Sequence, residues 1–190
     1  MNKIVEKIGL FGTSADPPTI GHLAILKNIV SFYPMIIAWA SNNPMKIHRE
    51  SLEDRSLMLK TVIDNLKDPR ILFDQDISSP WTISTIKKAK VKWPETQLDM
   101  IIGSDLLSEI LHWKDIDLIL KETHFKIVPR EGWVLNHKVM KEISSRGGSA
   151  ELMNFKIPNT SSSKIISKQK LYNVPSSIKQ LIIEKKLYNS

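Results

Sequence analysis

The sequence predicts an α/β fold, a doubly wound parallel sheet that carries a small helical appendix at its carboxyl end. Segments with strand character alternate with segments whose apolar residues recur at helical spacing. The strand segments are almost continuously apolar, which is typical of strands covered by helices on both faces. The 190 residues fit a single domain, 1–190, in which the part from about residue 159 onward is helical.

The first β-loop-α unit is the clearest part of this pattern. The string "KIGLFG" (7–12) predicts a strand, and apolar residues at helical spacing predict a helix over 22–32. "MIIAWA" (35–40) predicts the second strand. Ser51, followed three positions later by Asp54, resembles a capping box that opens a helix over 52–66.

The rest of the chain continues the alternation. We predict, in chain order, a strand at "RILFD" (70–74), a helix over about 83–92, and strands at "LDMIIG" (98–103), "HFKIVPR" (124–130) and "MNFKIP" (153–158). Two short helices follow, at "TSSSKIISK" (160–168) and at 175–188. The last helix has an apolar packing face formed by Ile178, Leu181, Ile182 and Leu187.

Composition excludes several classes of protein. With 42% hydrophobic and 25% charged residues, the chain does not have the composition of a disordered protein. It has no cysteine, and its five histidines show no ligand spacing, so disulfides and structural zinc are not expected. The amino terminus lacks the apolar region of a signal peptide, and no stretch is long enough to span a membrane. We therefore expect a cytoplasmic protein.

The net charge leaves several partners open. A formal charge of +7 and a pI near 9.5 favour a polyanionic partner, which could be nucleic acid, an anionic membrane surface or a phosphorylated metabolite. The same excess of lysine is equally well explained as a means of solubility.

The loop "GTSADPPTIGH" (12–22) is the strongest functional signal, since it joins the first strand to the first helix. In open α/β sheets, ligands bind at the carboxyl ends of strands, where helix N-termini attract phosphate. Gly12 and Gly21 would let the backbone approach a ligand, Pro17 and Pro18 would stiffen the loop, and His22 would enter the first turn of the helix. The loop therefore predicts an anion site containing a histidine. The alternative is a rigid turn whose histidine only caps the helix.

The letters of this loop resemble a known signature. "TIGH" (Thr19 to His22) is similar to the (H/T)xGH motif of nucleotidyltransferases. The longer string resembles the GGTFDPPHxGH motif of nicotinate or nicotinamide mononucleotide adenylyltransferases. It agrees at Gly12, Asp16, Pro17, Pro18, Gly21 and His22, and it differs at Thr13, Ser14, Ala15 and Thr19.

Further segments resemble the same family in the same order. They are "NPMK" (43–46) for a phosphate-binding loop, "WTISTI" (81–86) for the YTIDTL segment, "IIGSDLLSEILHW" (101–113) for IIGsD…W, "VPREG" (128–132) for vxRpG, and "YNVPSSIKQLIIEKKLY" (172–188) for the C-terminal vPxxVxxYIxxxxLY. One segment departs from the pattern. The family's ISSTxIR aligns with "TSSSKII" (160–166), so that Ile166 replaces an arginine, while Lys164 and Lys168 lie nearby.

The resemblance implies a Rossmann-like fold and a reaction. The adenylyl group of ATP would pass to nicotinate mononucleotide, giving the dinucleotide of NAD biosynthesis and pyrophosphate, with Mg²⁺ held mostly by ATP and water rather than by a protein site. The implied catalytic residues are His22, Thr19 and Lys46. The implied ATP-binding residues are Gly12, Thr13, Ser14, Gly21, Gly103, Asp105, Arg130, Ser161, Ser162 and Lys164. The implied mononucleotide-binding residues are Lys46, Trp81, Thr82 and Trp113.

Individual roles carry alternatives. Asp105 would hold the ribose hydroxyls of ATP or cap the next helix, and Arg130 would contact phosphate or ribose or face solvent. Trp113 would stack on the nicotinate ring or belong to the core. The histidines at 48, 112, 124 and 137 receive no role. We expect small-molecule nucleotides as partners, no nucleic acid and no membrane, and the sequence is compatible with a homo-oligomer.

Three rival functions remain. A pantetheine-phosphate adenylyltransferase also uses TxGH, but would lack "WTISTI" and the long tail. A class I aminoacyl-tRNA synthetase would suit the basic pI, but 190 residues leave no room for an anticodon-binding module. A non-catalytic nucleotide-binding protein of the same fold would explain the loss of arginine at Ile166.

Overall fold

A computed structural model describes residues 6–160 and 171–189 of the protein. The strands are β1 (Lys7–Thr13), β2 (Met35–Ala40), β3 (Ile71–Phe73), β4 (Gln97–Gly103), β5 (His124–Val128) and β6 (Ser149–Leu152). The α-helices are α1 (Ile20–Ile29), α2 (Leu52–Leu66), α3 (Thr82–Lys92), α4 (Ile116–Glu122), α5 (His137–Ser145) and α6 (Ser176–Glu184). Short 3₁₀ turns occur at Ser104–Leu106, Ile110–His112, Leu171–Asn173 and Leu187–Asn189.

The six strands form one parallel sheet in the order β3-β2-β1-β4-β5-β6. The chain runs outward from β1 to β3, crosses the sheet, and runs outward again from β4 to β6. The order therefore reverses between β1 and β4, whose pairing aligns Lys7 with Gln97. Such a switch point leaves a crevice at the carboxyl ends of the two strands.

Each face of the sheet has its own apolar core. Buried residues of α1, α2 and α6 pack with Phe11 and Ile101 on one face. Buried residues of α3, α4 and α5 pack with Leu10 and Ile102 on the other. Because both faces are covered, the central strands need apolar residues on both sides, and this explains their continuous apolar runs.

The predicted fold class is confirmed, and so are most of its elements. The helix over 52–66 has the predicted bounds, and Ser51 caps it by accepting a hydrogen bond from the N–H of Asp54 at 3.0 Å. In α6, Ile178 and Ile182 are buried as the apolar spacing predicted. The helix predicted at 160–168 lies largely outside the described residues.

Two element predictions were wrong, and two further helices were not predicted. The last strand is β6 (Ser149–Leu152) rather than 153–158, where only an isolated bridge joins Arg130 to Ile157. This strand is mostly exposed at the edge of the sheet, so it lacks the apolar signature of the inner strands. Helix α1 begins at Ile20, because Thr19 is its N-cap, and ends at Ile29. Helices α4 and α5 were not predicted at all; each buries only two or three residues against the sheet.

Candidate nucleotide-binding site

The candidate site lies where β1 and β4 end side by side. The loop after Thr13 leads into α1, and the turn after Gly103 carries Asp105. The sheet therefore brings together two sequence segments that are about ninety positions apart, at the edge where parallel sheets bind ligands.

Thr19 and His22 form a reciprocal capping box at the start of α1. The hydroxyl of Thr19 accepts a hydrogen bond from the N–H of His22 at 3.4 Å, and Nδ1 of His22 accepts one from the N–H of Thr19 at 2.9 Å. The Thr19 hydroxyl also lies 2.9 Å from Nδ1. Thr19 is completely buried. The pair therefore holds the imidazole rigidly over the N-terminus of the helix.

This arrangement decides the chemical state of His22. Burial, with a further contribution from the positive charge of Arg130, lowers the pKa of His22 to about 4, against a small opposing effect of Asp105. The ring is therefore neutral near pH 7. Because Nδ1 accepts the N–H of Thr19, the proton of the neutral ring sits on Nε2. His22 can thus donate a hydrogen bond to an anionic oxygen.

Arg130 and Asp105 form the second part of the site. The guanidinium donates from Nε to Oδ1 of Asp105 at 2.9 Å and from Nη2 to Oδ2 at 3.2 Å. Its Nη1 donates to the carbonyl oxygen of Thr160, and its backbone N–H donates to the hydroxyl of Ser104 at 3.1 Å. The interpretation of Arg130 as a residue that only faces solvent is therefore wrong.

Two glycines let these groups approach the backbone. A Cβ on Gly21 would lie 2.6 Å from the hydroxyl oxygen of Thr160, and a Cβ on Gly103 would lie 2.5 Å from Oδ1 of Asp105. Glycine is required at position 12 for a different steric reason, because a Cβ there would lie 2.5 Å from the ring of Trp39. Gly103 therefore lies directly against the predicted Asp105, whereas Gly21 lies against Thr160, which was not predicted, and against the predicted Thr19, whose hydroxyl oxygen would be 3.3 Å from the new Cβ.

The loop that carries Lys46 joins the same edge of the sheet. It begins beside β1, where the N–H of Ser41 donates to the carbonyl oxygen of Thr13 at 2.7 Å, and it returns where the N–H of Arg49 donates to Oδ2 of Asp16 at 2.8 Å. Lys46 is exposed at the tip of the loop. Its side chain can therefore meet a ligand without breaking a contact of the core.

The predicted mononucleotide residues lie on the α3 side of the sheet. Trp81 is the N-cap residue of α3, and Thr82 begins the helix. The ammonium of Lys114 lies 5.1 Å from the centroid of the Trp81 ring, and the neighbouring Trp113 packs edge-on against Phe125 at 6.0 Å. Both tryptophans are partly buried against the core of that face. Their role as ligand contacts stays a prediction.

The remaining predicted residues divide into two groups. Thr13 accepts a hydrogen bond from the N–H of Ala15 at 3.3 Å, and the carbonyl of Ser14 accepts one from Arg55 at 2.8 Å, so both shape the loop. Ser161, Ser162, Lys164 and Ile166 lie outside the described residues.

Comparison with known proteins identifies the family. The sequence profile described as "Cytidylyltransferase-like" matches residues 10–168. A Synechocystis sp. protein named "Probable nicotinate-nucleotide adenylyltransferase" is 31% identical over 158 residues, which cover 78% of this chain and 79% of the relative. The chain belongs to the nicotinate-nucleotide adenylyltransferases of the cytidylyltransferase-like family. The predicted resemblance is thereby confirmed.

Two further matches extend over nearly the whole chain. A Bacillus cytotoxicus protein with the same name is 26% identical over 196 residues, which cover 98% of this chain and 100% of the relative. Among solved structures, the Plasmodium falciparum nicotinic acid mononucleotide adenylyltransferase complexed with NaAD matches with a TM-score of 0.79 at 21% identity, over 97% of this chain and 98% of the other. The latter similarity shows that the nucleotidyltransferase fold is shared from end to end.

Sequence reasoning missed several residues that build this adenylyltransferase site. Arg55 is 1% exposed and binds three backbone carbonyls, yet it lies on the apolar stripe of α2 with Met58, Leu59, Val62 and Ile63. An arginine on an apolar stripe is a detectable signal of a buried cation. Asp16, Thr160 and Tyr188 lie in segments that resemble the family, but their contacts could not be predicted because their partners are distant in the sequence.

The described residues also bear on metal binding and membranes. Within residues 6–160 and 171–189, no three histidine, aspartate or glutamate side chains are grouped so as to hold a metal ion. None of the helices in these ranges combines the length and apolar character needed to cross a membrane.

Proposed function

We propose that the protein transfers the adenylyl group of ATP to the 5′-phosphate of nicotinate mononucleotide, which gives nicotinate adenine dinucleotide and pyrophosphate in NAD biosynthesis. A phosphate oxygen of the mononucleotide attacks the α-phosphorus of ATP while the bond to pyrophosphate breaks. The family relationship supports the reaction. The single observation that supports its mechanism is the hydrogen bond from the N–H of Thr19 to Nδ1 of His22 at 2.9 Å, which leaves Nε2 as the donor nitrogen of the ring.

His22 needs no proton transfer to act. The attacking phosphate oxygen is already a nucleophile, so catalysis depends on in-line positioning and on stabilising the charge that grows on the α-phosphoryl oxygens. A hydrogen bond donated by Nε2 and the N-terminus of α1 supply that stabilisation. Because the donor is neutral, it stays protonated at Nε2 throughout the neutral pH range.

The other residues position the two substrates. The exposed ammonium of Lys46 binds the phosphate of the mononucleotide, and Trp81, Thr82 and Trp113 face its base. Asp105 and Arg130 bind the ribose and phosphates of ATP, with Gly12, Thr13, Ser14 and Gly21 lining the loop. Ser161, Ser162 and Lys164 complete the phosphate contacts.

Mg²⁺ enters as part of the ATP substrate, with oxygen ligands from the triphosphate and water. We propose that the ion needs no dedicated protein site, because triphosphate and water oxygens suit Mg²⁺ as ligands. We also propose a cytoplasmic location, and a homo-oligomer stays compatible with this function.

The test measures pyrophosphate release with ATP, Mg²⁺ and either nicotinate or nicotinamide mononucleotide. We expect turnover with a preference for nicotinate, because the backbone N–H of Thr82, in the first turn of α3, suits a carboxylate and not an amide nitrogen. His22→Ala serves as the control with strongly reduced turnover. Absence of turnover with both mononucleotides, together with nucleotide binding in a titration, would instead establish a non-catalytic nucleotide-binding protein. A clear preference for the amide would contradict the role of Thr82.

A further inference from the structure

The last residues of the chain end beside the histidine loop. The hydroxyl of Tyr188 donates a hydrogen bond to Oδ1 of Asp16 at 2.7 Å, and the backbone N–H of Tyr188 donates to the carboxylate of Glu50. Three positions earlier, the ammonium of Lys185 lies 2.5 Å from Oδ1 of Asp54 in the first turn of α2. The tail thus contacts both the loop that precedes His22 and the segment that follows Lys46.

Asp16 joins these two segments through its second oxygen. Its Oδ2 accepts the N–H of Arg49 at 2.8 Å, while its Oδ1 is occupied by Tyr188. The carboxylate is only 7% exposed. A single buried carboxylate therefore connects the histidine loop, the Lys46 loop and the C-terminal tail.

The side chain of Arg55 also holds the histidine loop and the Lys46 loop together, through hydrogen bonds to their backbone carbonyls. It donates from Nη1 to the carbonyls of Ser14 at 2.8 Å and Ser41 at 2.7 Å, and from Nε to the carbonyl of Glu50 at 3.2 Å. Ser41 and Glu50 are the two ends of the Lys46 loop. Arg55 therefore holds both ends of the Lys46 loop, and Asp16 and Tyr188 hold its C-terminal part at Arg49 and Glu50.

Between these anchors the loop is open to solvent. Met45 is 80% exposed, Ile47 is fully exposed, and Lys46 between them is exposed as well. The position of Lys46 therefore depends on where the anchors place the two ends of the loop, and not on packing at its tip.

The backbone of Tyr188 supports this interpretation. It has φ 60° and ψ 24°, a left-handed conformation that is unfavourable for a residue with a Cβ. Such conformations persist where the surrounding contacts demand them. Here the two hydrogen bonds to Asp16 and Glu50 hold the residue in place.

We propose that Tyr188 is a positioning residue for the mononucleotide: through Asp16 it holds the Lys46 loop against the histidine loop and so sets where Lys46 meets the phosphate of that substrate. The identity of the ligand rests on the proposed function. Tyr188 itself touches no reacting atom.

The kinetic test replaces Tyr188 with Phe, which removes only the hydroxyl. We expect the KM for nicotinate mononucleotide to rise about tenfold, the scale of one hydrogen bond to a charged group, while kcat and the KM for ATP change by less than about twofold. Tyr33→Phe is the matched control, because the Tyr33 hydroxyl donates to the buried carboxylate of Asp99 at 2.8 Å near the opposite edge of the sheet. That variant should leave both KM values unchanged.

A second measurement needs no substrate. Hydrogen exchange of a peptide spanning 41–50 should be faster in Tyr188→Phe than in the unmodified protein, while a peptide spanning 97–103 should be unchanged. Unaltered exchange in 41–50, an unaltered mononucleotide KM, or equal changes in both KM values would each overturn the proposal. If the unmodified protein releases no pyrophosphate, the proposed function fails, whereas the exchange measurement still tests whether Tyr188 orders the loop.

Discussion

The guanidinium of Arg130 binds the carboxylate of Asp105 through two parallel hydrogen bonds, of 2.9 Å and 3.2 Å, at the mouth of the crevice between β1 and β4. The Arg130 side chain is 13% exposed and Asp105 49%. The third contact of Arg130, to the carbonyl of Thr160, links the pair to the start of the segment 160–166, in which the resemblance implies ATP-binding residues. Arg130 thus orients Asp105 and lies close to the expected phosphate position.

We predict that Arg130→Lys raises the KM for ATP about tenfold, because an ammonium cannot reproduce the planar fork that holds Asp105. The KM for the mononucleotide should change by less than about twofold. Arg146→Lys is the control, since Arg146 forms ion pairs with Asp117 and Glu142 far from the crevice. Steady-state kinetics with each substrate varied in turn provides the measurement, and an unchanged ATP KM would remove Arg130 from the ATP site.

The glycines of the two strand ends should respond differently to alanine. In Gly103→Ala the new Cβ would displace the flexible carboxylate of Asp105, so the ATP KM should rise several-fold with little change in thermal stability. In Gly12→Ala the Cβ would meet the ring of Trp39, which is 4% exposed and cannot yield easily. Overpacking of this kind costs about 1–3 kcal/mol. Thermal denaturation of both variants tests the contrast, and equal loss of stability would contradict it.

His22→Ala should lower kcat by roughly 10²- to 10³-fold, the usual loss when one transition-state donor is removed. The fold should persist, although the N–H of Thr19 loses its acceptor, at a cost of about 1 kcal/mol. His137→Ala, at an exposed residue that begins α5, is the control. Turnover near that of the unmodified protein in a folded His22→Ala variant would exclude His22 from the mechanism.

The partly buried His22 also makes stability depend on pH. The pKa of His22 is lowered to about 4 in the folded protein, mainly by burial, from an ordinary value of 6.5. The unfolded chain therefore takes up a proton first as the pH falls below 6.5. Stability is complete above that pH and declines towards pH 4, by about 2 kcal/mol between pH 7 and pH 5 from this residue alone.

Urea unfolding at several pH values checks this dependence. The free energy of unfolding of His22→Gln should fall less steeply over the range from about pH 7 to about pH 5. The pKa of His48 is also lowered, chiefly by burial, so His48 likewise reduces the free energy of unfolding as the pH falls. Because His48 is unchanged in His22→Gln, its contribution should persist in that variant. Equal slopes for the two proteins would show that His22 is not held neutral by the fold.

Ile166 stands where the family segment has an arginine, and this difference leads to a further prediction. An arginine at this position would supply a charged contact to phosphate, worth about 1.5–3 kcal/mol, so a neighbour has to replace it. We predict that Lys164→Ala raises the KM for ATP far more than that for the mononucleotide, and that Ile166→Arg partly rescues it. If Lys164→Ala leaves the ATP KM unchanged, the phosphates depend on the serines, the helix N-terminus and Arg130.

Much of the fold could be predicted because its signals are local. The strands β1, β2 and β4 are almost continuously apolar, and α2 repeats its apolar residues at helical spacing behind a Ser51 cap. Edge elements carry weaker signals, because β6 buries little and α4 is only seven residues long. This is why β6 was misplaced and α4 was missed.

The sequence by itself determined the α/β class, the family, and the Thr19–His22 pair, whose members are three residues apart and meet through the geometry of one helix turn. Only the tertiary structure decided how Arg130 meets Asp105, how Arg55 holds both ends of the Lys46 loop, and how Tyr188 meets Asp16 across 172 positions of sequence. Charged groups can be buried only where partners from distant segments converge on them. That convergence depends on the order of the strands and on the docking of the tail, and neither is encoded in any short stretch of the chain.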